Sequence, residues 1–235
     1  APFFSGTMVL IPALNEAETI ATTIDFWKSI GAAHIRVVDN GSTDETGRVA
    51  AEADAEVKFE PHRGYGAAAW RGLQDVPAQI EWILFSSADG SDRLSQEEVN
   101  AFQEQIQKGA DLLLGDRFAQ PESRLHLKLV QSFGNRLCCW LIYLGWRKRF
   151  NDLGSLRLIR RSALEKLQLR DRSFGWNVEM QVRAIEHRLR IVEIPVRYYP
   201  RQAGRSKISG SWLGTFKAGW GILKMIGKLW WTKTS

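Results

Sequence analysis

An α/β fold with a mostly parallel central sheet flanked by helices is the architecture this sequence predicts, on three observations. Short apolar runs alternate with helix-like segments at close spacing through the first half, the pattern of βαβ units. Helix-start residue pairs stand shortly after several of those runs. The chain of 235 residues, 44% hydrophobic and 25% charged, has the composition of a folded soluble protein able to bury a real core.

Taken in order, Met8 to Pro12 reads as a buried strand, after which Asn15 caps a helix with Glu18 as its capping-box partner, Ile20 and Ile24 on one face and Gly31 as the stop. His34 to Asp39 is the second strand, and Ser42 with Glu45 opens a helix running to about Ala51. Glu56 to Phe59 is the third strand, followed by a glycine turn at Gly64 and Gly66. Trp82 to Ser86 is the fourth, and Ser95 with Glu98 starts a helix carrying Val99, Phe102 and Ile106 at helical spacing. Leu112 to Leu114 is the fifth. Beyond Arg117 the spacing predicts a long helix from about Leu127 to Leu144, a strand around Leu156 to Ile159, a helix from Val178 to His187 and a last strand from Ile191 to Val196. No internal repeat or linker marks a boundary, so a single domain is expected, with 1–210 as its body and 211–235 as an amphipathic C-terminal helix or tail.

Thirty-two Lys and Arg against 26 Asp and Glu give a net charge of +6, which suits an anionic ligand or surface. The cations are not interleaved with aromatics on a nucleic-acid motif, so nucleic acid is not an expected partner. The two cysteines, Cys138 and Cys139, are adjacent and make neither a disulfide framework nor a metal-ligand spacing, which points to a reducing compartment. No secretory signal is read in the first fourteen residues, and the cytoplasm, with its membrane face, is the expected location.

In open parallel α/β sheets, ligands bind beyond the carboxyl ends of the strands. Those ends are polar here: Pro12-Ala13-Leu14-Asn15-Glu16, Asp39-Asn40-Gly41-Ser42-Thr43-Asp44, Ser87-Ala88-Asp89-Gly90-Ser91-Asp92 and Gly115-Asp116-Arg117. Asp39 could accept hydrogen bonds from a base or ribose, with Gly41 allowing close approach, although a turn and helix cap explain the same residues. Asp89 and Asp92 suit a hard divalent cation bridging phosphate oxygens, or form a solvated acidic loop. Arg201-Gln202-Ala203-Gly204-Arg205-Ser206-Lys207 surrounds a glycine with three cations and a hydroxyl, fit for a diphosphate or for a lipid-facing patch.

As an ordered set over about residues 8–207, these segments, with Arg63-Gly64-Tyr65-Gly66, Gly115-Asp116-Arg117-Phe118 and Arg157, resemble the family 2 glycosyltransferases of the GT-A (Rossmann-like) fold, especially dolichol-phosphate mannose synthase and related polyprenyl-phosphate sugar synthases. The resemblance implies an inverting hexosyltransferase that uses a UDP- or GDP-sugar. Its nucleotide-sugar site would comprise Pro12, Ala13, Asn15, Glu16, Asp39, Asn40, Gly41, Gly64, Gly66, Ser87, Ala88, Asp89, Arg201, Ser206 and Lys207. Asp89 and Ser91 would hold Mg²⁺ or Mn²⁺. Arg117 and Arg157 would suit an anionic acceptor, and Glu179 would act as base toward a hydroxyl acceptor. The chain departs from the family in having Ser87 at the first position of Asp-x-Asp, Ser91 at a later polar position and Asn177 two places before Glu179.

From Trp212 to Trp231, the apolar residues Trp212, Leu213, Phe216, Trp220, Leu223, Ile226 and Trp230 recur at helical spacing, while Lys217, Lys224 and Lys228 share another face. Such a helix suits a bilayer interface or packing on the domain. Leu137 to Trp146, followed by Arg147, Lys148 and Arg149, is a second segment open to both readings. The expected reaction is therefore sugar transfer to a polyprenyl phosphate or other membrane-associated acceptor. The alternatives are transfer to a soluble hydroxyl compound and a catalytically weakened nucleotide-sugar-binding protein.

Overall fold

The computed structural model describes residues 5–121, 123, 129–203 and 212–233, with only the helical backbone for 129–131 and 212–218. Seven strands form one sheet in the order β3-β2-β1-β4-β6-β5-β7: β1 is Thr7–Ala13, β2 His34–Asp39, β3 Glu56–Phe59, β4 Trp82–Phe85, β5 Leu112–Asp116, β6 Arg157–Arg160 and β7 Ile191–Pro195. All pairings are parallel except those of β6, which runs antiparallel to β4 and to β5. The helices are α1 Ile20–Ser29, α2 Thr46–Glu52, α3 Tyr65–Gly72, α4 Gln96–Gln107, α5 Leu129–Trp146, α6 Arg161–Leu167, α7 Trp176–Glu186 and α8 Trp212–Lys233.

The middle of the sheet is covered on both faces, which is why β1, β4 and β5 read as continuous apolar runs. Alternation along β1 sends Met8 and Leu10 into a cluster with Phe85, Ile142, Trp176 and Leu229, and Val9 and Ile11 into a second with Ile24, Trp27, Leu84 and Phe102. α8 packs against α5 and α7. Strand order turns back between β1 and β4: β2 and β3 lie to one side of β1, while β4 and everything later lie to the other. A crevice forms at the carboxyl ends flanking such a switch point.

Three local expectations meet different outcomes. Ser95 and Glu98 form the full capping box of α4. Asn15 does not cap α1, which begins at Ile20 after Thr19; Asn15 instead takes φ 53° and is captured by the loop after β2. Ser42 likewise does not cap α2, because its hydroxyl is taken by the Asn15 amide. In both cases a long-range hydrogen bond takes the group that local patterning assigned to a cap. Two short helices, α3 and α6, were not expected. α3 begins immediately after the glycine turn, and α6 is a single amphipathic stretch between strand and loop.

Candidate functional site

The loops after β1 and β2 are stitched together at the crevice. The Asn15 amide donates to Ser42 Oγ at 2.9 Å, the Glu16 amide to Thr46 Oγ1 at 2.8 Å, and the Thr43 amide to Asn15 Oδ1 at 2.7 Å. Asp39, at the end of β2, accepts from the Ser42 amide at 2.9 Å. Asn40 extends the network by donating to the Glu60 and His62 carbonyls and accepting from the Gly64 amide at 2.8 Å. Gly41 turns the chain between them with φ +73°, a conformation that favours glycine.

The glycine turn before α3 is fitted to another part of the backbone. The Gly66 and Ala67 amides donate to the Ser173 and Arg172 carbonyls, each at 2.9 Å, and a Cβ on Gly64 or Gly66 would collide with the 171–172 backbone. These helix-start amides are thus engaged by protein carbonyls. The turn at 171–173 is in turn held by Glu179, whose buried carboxylate accepts from the Arg170 and Asp171 amides at 2.9 and 2.8 Å.

Beyond β4, Asp89 Oδ1 accepts from the Ser91 amide at 3.1 Å and the Ser91 hydroxyl at 2.6 Å, and Ser91 Oγ lies 3.0 Å from Ser87 Oγ. The other Asp89 oxygen faces Arg201, 3.3 Å from Nη2. Arg201 also forks onto Glu16 at 2.7 and 2.8 Å, so one guanidinium joins the loop after β1 to the loop after β4. Burial alone would lower the Arg201 pKa; the Glu16 hydrogen bonds and the Asp89 charge raise it instead. Asp92 is buried behind this loop, accepting from the Ser87 amide at 2.8 Å and the Ser155 hydroxyl at 2.7 Å, and burial pushes its carboxyl above the usual range despite those bonds.

Pro12, Ala13, Asn15, Glu16, Asp39, Asn40, Gly41, Ser87, Ala88, Asp89, Ser91 and Arg201 therefore lie on the loops and strand ends that meet at the switch point. Ser206 and Lys207 lie outside the described residues. The charged groups of Arg117, Arg157 and Glu179 are engaged elsewhere. Arg117 forks onto buried Asp152 at 2.7 and 2.8 Å and stacks over the Tyr198 ring. Burial acts to lower its pKa, but the Asp152 charge and hydrogen bonds raise it overall. Arg157 is 1% exposed and donates to the Gly154 and Asn177 carbonyls and to Gln181 Oε1; burial lowers its pKa to about 10.

Sequence reasoning missed a cavity of about 700 Å³ beyond the end of β5, lined by Asp116, Arg136, Trp140, Tyr143, Arg149 and Phe150 among others. Arg147, in the left-handed conformation with φ 58°, ends α5 and turns the Arg147-Lys148-Arg149 run back over Tyr143. The basic run was visible in the sequence; its reversal onto its own helix was not.

As a donor set for a divalent cation, the Asp89 carboxylate and the Ser87 and Ser91 hydroxyls are hard oxygen ligands of the kind Mg²⁺ and Mn²⁺ prefer. Among the described residues, no group of three or more His, Cys, Asp or Glu side chains could hold a metal ion. The protein's set therefore fits such a cation only when diphosphate oxygens complete its shell.

The model of glycosyl transferase family 2 matches residues 8–168. An uncharacterized glycosyltransferase of Mycobacterium tuberculosis is 36% identical over 211 residues, covering 89% of this chain and 93% of that protein. The polyprenol monophosphomannose synthase of Mycolicibacterium smegmatis is 31% identical, covering 92% of this chain and 87% of the relative. Among solved structures, glucosyl-3-phosphoglycerate synthase from Mycobacterium tuberculosis, in complex with Mn²⁺, UDP-glucose and phosphoglyceric acid, superposes with a TM-score of 0.73 at 18% identity, over 96% of this chain and 80% of that one.

Proposed function

The chain belongs to glycosyl transferase family 2, and from that premise we propose that it moves a sugar, with inversion, from a UDP- or GDP-sugar to the phosphate of a polyprenyl phosphate. The observation that carries this reading is the convergence of the loops after β1, β2 and β4 on one crevice, with Arg201 spanning Glu16 and Asp89. The loops after β1 and β2, with Asp39, hold base and ribose; the Asp89 loop and Arg201 face the diphosphate. Asp89 and Ser91 would hold a divalent cation there together with that diphosphate, and such a cation would supply positive charge toward the leaving nucleotide.

An acceptor phosphate oxygen provides the electron pair that forms the new bond to the anomeric carbon. The bond from that carbon to the donor phosphate breaks, and the nucleoside diphosphate leaves with its electrons. An already ionised phosphate gives up no proton, so no general base is required. The engagement of Glu179 with two backbone amides is consistent with that economy.

Contact with the cytoplasmic face of a membrane is part of the reading. α5 turns Phe133, Trp140 and Leu144 outward beside Arg136, and α8 turns Trp220, Leu223 and Trp231 outward beside Lys224 and Lys228. Neither helix contains an Asp or Glu. Aromatics flanked by cations suit an anionic bilayer interface. No helix among the described residues is long and apolar enough to cross a membrane.

The test is release of nucleoside diphosphate from UDP- and GDP-sugars, with and without Mn²⁺ and with and without polyprenyl phosphate. Release that depends on polyprenyl phosphate supports the reading. Release that needs a soluble hydroxyl acceptor, or tight donor binding with no release, replaces it with the corresponding alternative.

A further inference from the structure

An anionic acceptor needs cations that are not already neutralised, and Arg117 and Arg157 do not supply them. Arg117 is bidentate on a buried carboxylate, and Arg157 is enclosed among carbonyl and amide oxygens. The cavity beyond β5 supplies them. Its walls carry Arg136 and Arg149, both exposed and neither ion-paired among the described residues. Its one carboxylate, Asp116, has both oxygens engaged, accepting from the Phe118 and Ala119 amides and from Asn151 Nδ2. Two arginines against one aspartate leave the lining with a net charge of +1.

The same cavity is also lined by the apolar rings of Phe118, Trp140 and Phe150. Tyr143 bridges the two characters. Arg149 lies 5.0 Å and Arg147 6.0 Å from its ring centroid, and the hydrogen bond and charge of Arg149 hold its hydroxyl below the usual tyrosine range. Asp116 precedes Arg117, so the cavity adjoins the carboxyl edge of the sheet on which the donor crevice lies.

We propose that this cavity is the acceptor subsite: Arg149 and Arg136 hold a phosphomonoester, and Trp140, Phe118 and Phe150 take the apolar chain attached to it. The assignment rests on the proposed transfer to a phosphate acceptor. Planar guanidinium forks match phosphate oxygens, and Trp offers a flat apolar face for the first isoprene units.

The experiment uses the full chain and the variants Arg149→Gln, Arg136→Gln and Trp140→Ala, all at exposed side chains, with thermal melts to verify folding. Binding of a water-soluble short-chain polyprenyl phosphate, of 3-phosphoglycerate and of nucleoside diphosphate is measured by calorimetry, and KM and kcat in the release assay. Each arginine change is expected to weaken polyprenyl phosphate about tenfold or more, as loss of a charge-assisted hydrogen bond does, and to raise its KM while nucleoside diphosphate binding stays within about twofold. Trp140→Ala should weaken polyprenyl phosphate but leave 3-phosphoglycerate unchanged. Equal binding of 3-phosphoglycerate, lost in both arginine variants, supports the phosphomonoester site and names a soluble source for it. Arginine variants that bind polyprenyl phosphate as the wild type does overturn the assignment. Binding lost in the variants, with no turnover of polyprenyl phosphate by wild type, keeps the subsite and sinks only the proposed reaction.

Discussion

Replacing Asp152 by Ala should destabilise the protein more than any surface change, and the size of the effect follows from its contacts. Asp152 is 1% exposed at its side chain and takes the Arg117 amide at 3.1 Å, Nε at 2.7 Å and Nη2 at 2.8 Å. Removing it strips three hydrogen bonds and leaves a guanidinium with only 19% of its side chain in contact with solvent. Breaking a buried ion pair from one side costs about 3–5 kcal/mol. Because Arg117 keeps some water contact, the lower end applies, about 3 kcal/mol, and at about 2–4 °C per kcal/mol for a domain of this size the melting temperature should fall by about 6–12 °C. Differential scanning calorimetry at neutral pH measures it. The Arg117→Met/Asp152→Leu pair should recover much of the loss, since apolar replacement of a buried pair is often near neutral. A fall of under about 3 °C for Asp152→Ala, or a double variant worse than the single, would refute the claim that Asp152 compensates a buried charge.

Arg201→Ala should weaken nucleoside diphosphate binding at least about tenfold, and, by removing a cation that faces Asp89 at 3.3 Å, should tighten Mn²⁺ binding in the absence of nucleotide, read by electron paramagnetic resonance. Glu179→Gln should keep kcat within about threefold, because a Gln carbonyl accepts the same two amides, whereas losing a general base would cost about 10²–10⁴. Gly66→Ala should cost about 1–3 kcal/mol or more by driving a methyl into the 171–172 backbone, seen as a lower urea midpoint. Asp92 titrates above its ordinary 3.8 when folded, so the stability it contributes is full below that value and is lost as pH rises through the folded value. Urea midpoints measured upward from about pH 4 should therefore decline less steeply in Asp92→Asn than in wild type.

The middle strands were legible because both faces of the sheet are buried there, and a doubly buried strand leaves an uninterrupted apolar run. Trp82–Phe85 and Leu112–Leu114 were legible for that reason, whereas the edge strand Glu56–Phe59, which buries none of its residues, was legible through the turn residues around it. α4 was legible because its cap is local, Ser95 and Glu98 lying three residues apart. The ends of α1 and α2 were not, since Asn15 and Ser42 bond each other's loops across 27 positions, a distance no window of the sequence scans. In the site, the polar ends of the strands were readable because topology alone sends them to one edge. The partners were not: nothing in the order of residues announces that Arg117 closes on Asp152, or that Arg157 goes under the sheet's edge among carbonyls.

The bond between Glu16 and Arg201 joins positions 185 apart, while the stretch that matches the family ends at residue 168. A fragment cut to the family boundary would keep all six strands from β1 to β6 beside one another yet lose β7 and the guanidinium that tethers the first loop to the fourth strand's loop. During synthesis that tether cannot form until residue 201 has been added. Anyone trimming this chain for crystallisation or display should expect donor affinity to vanish well before secondary structure does.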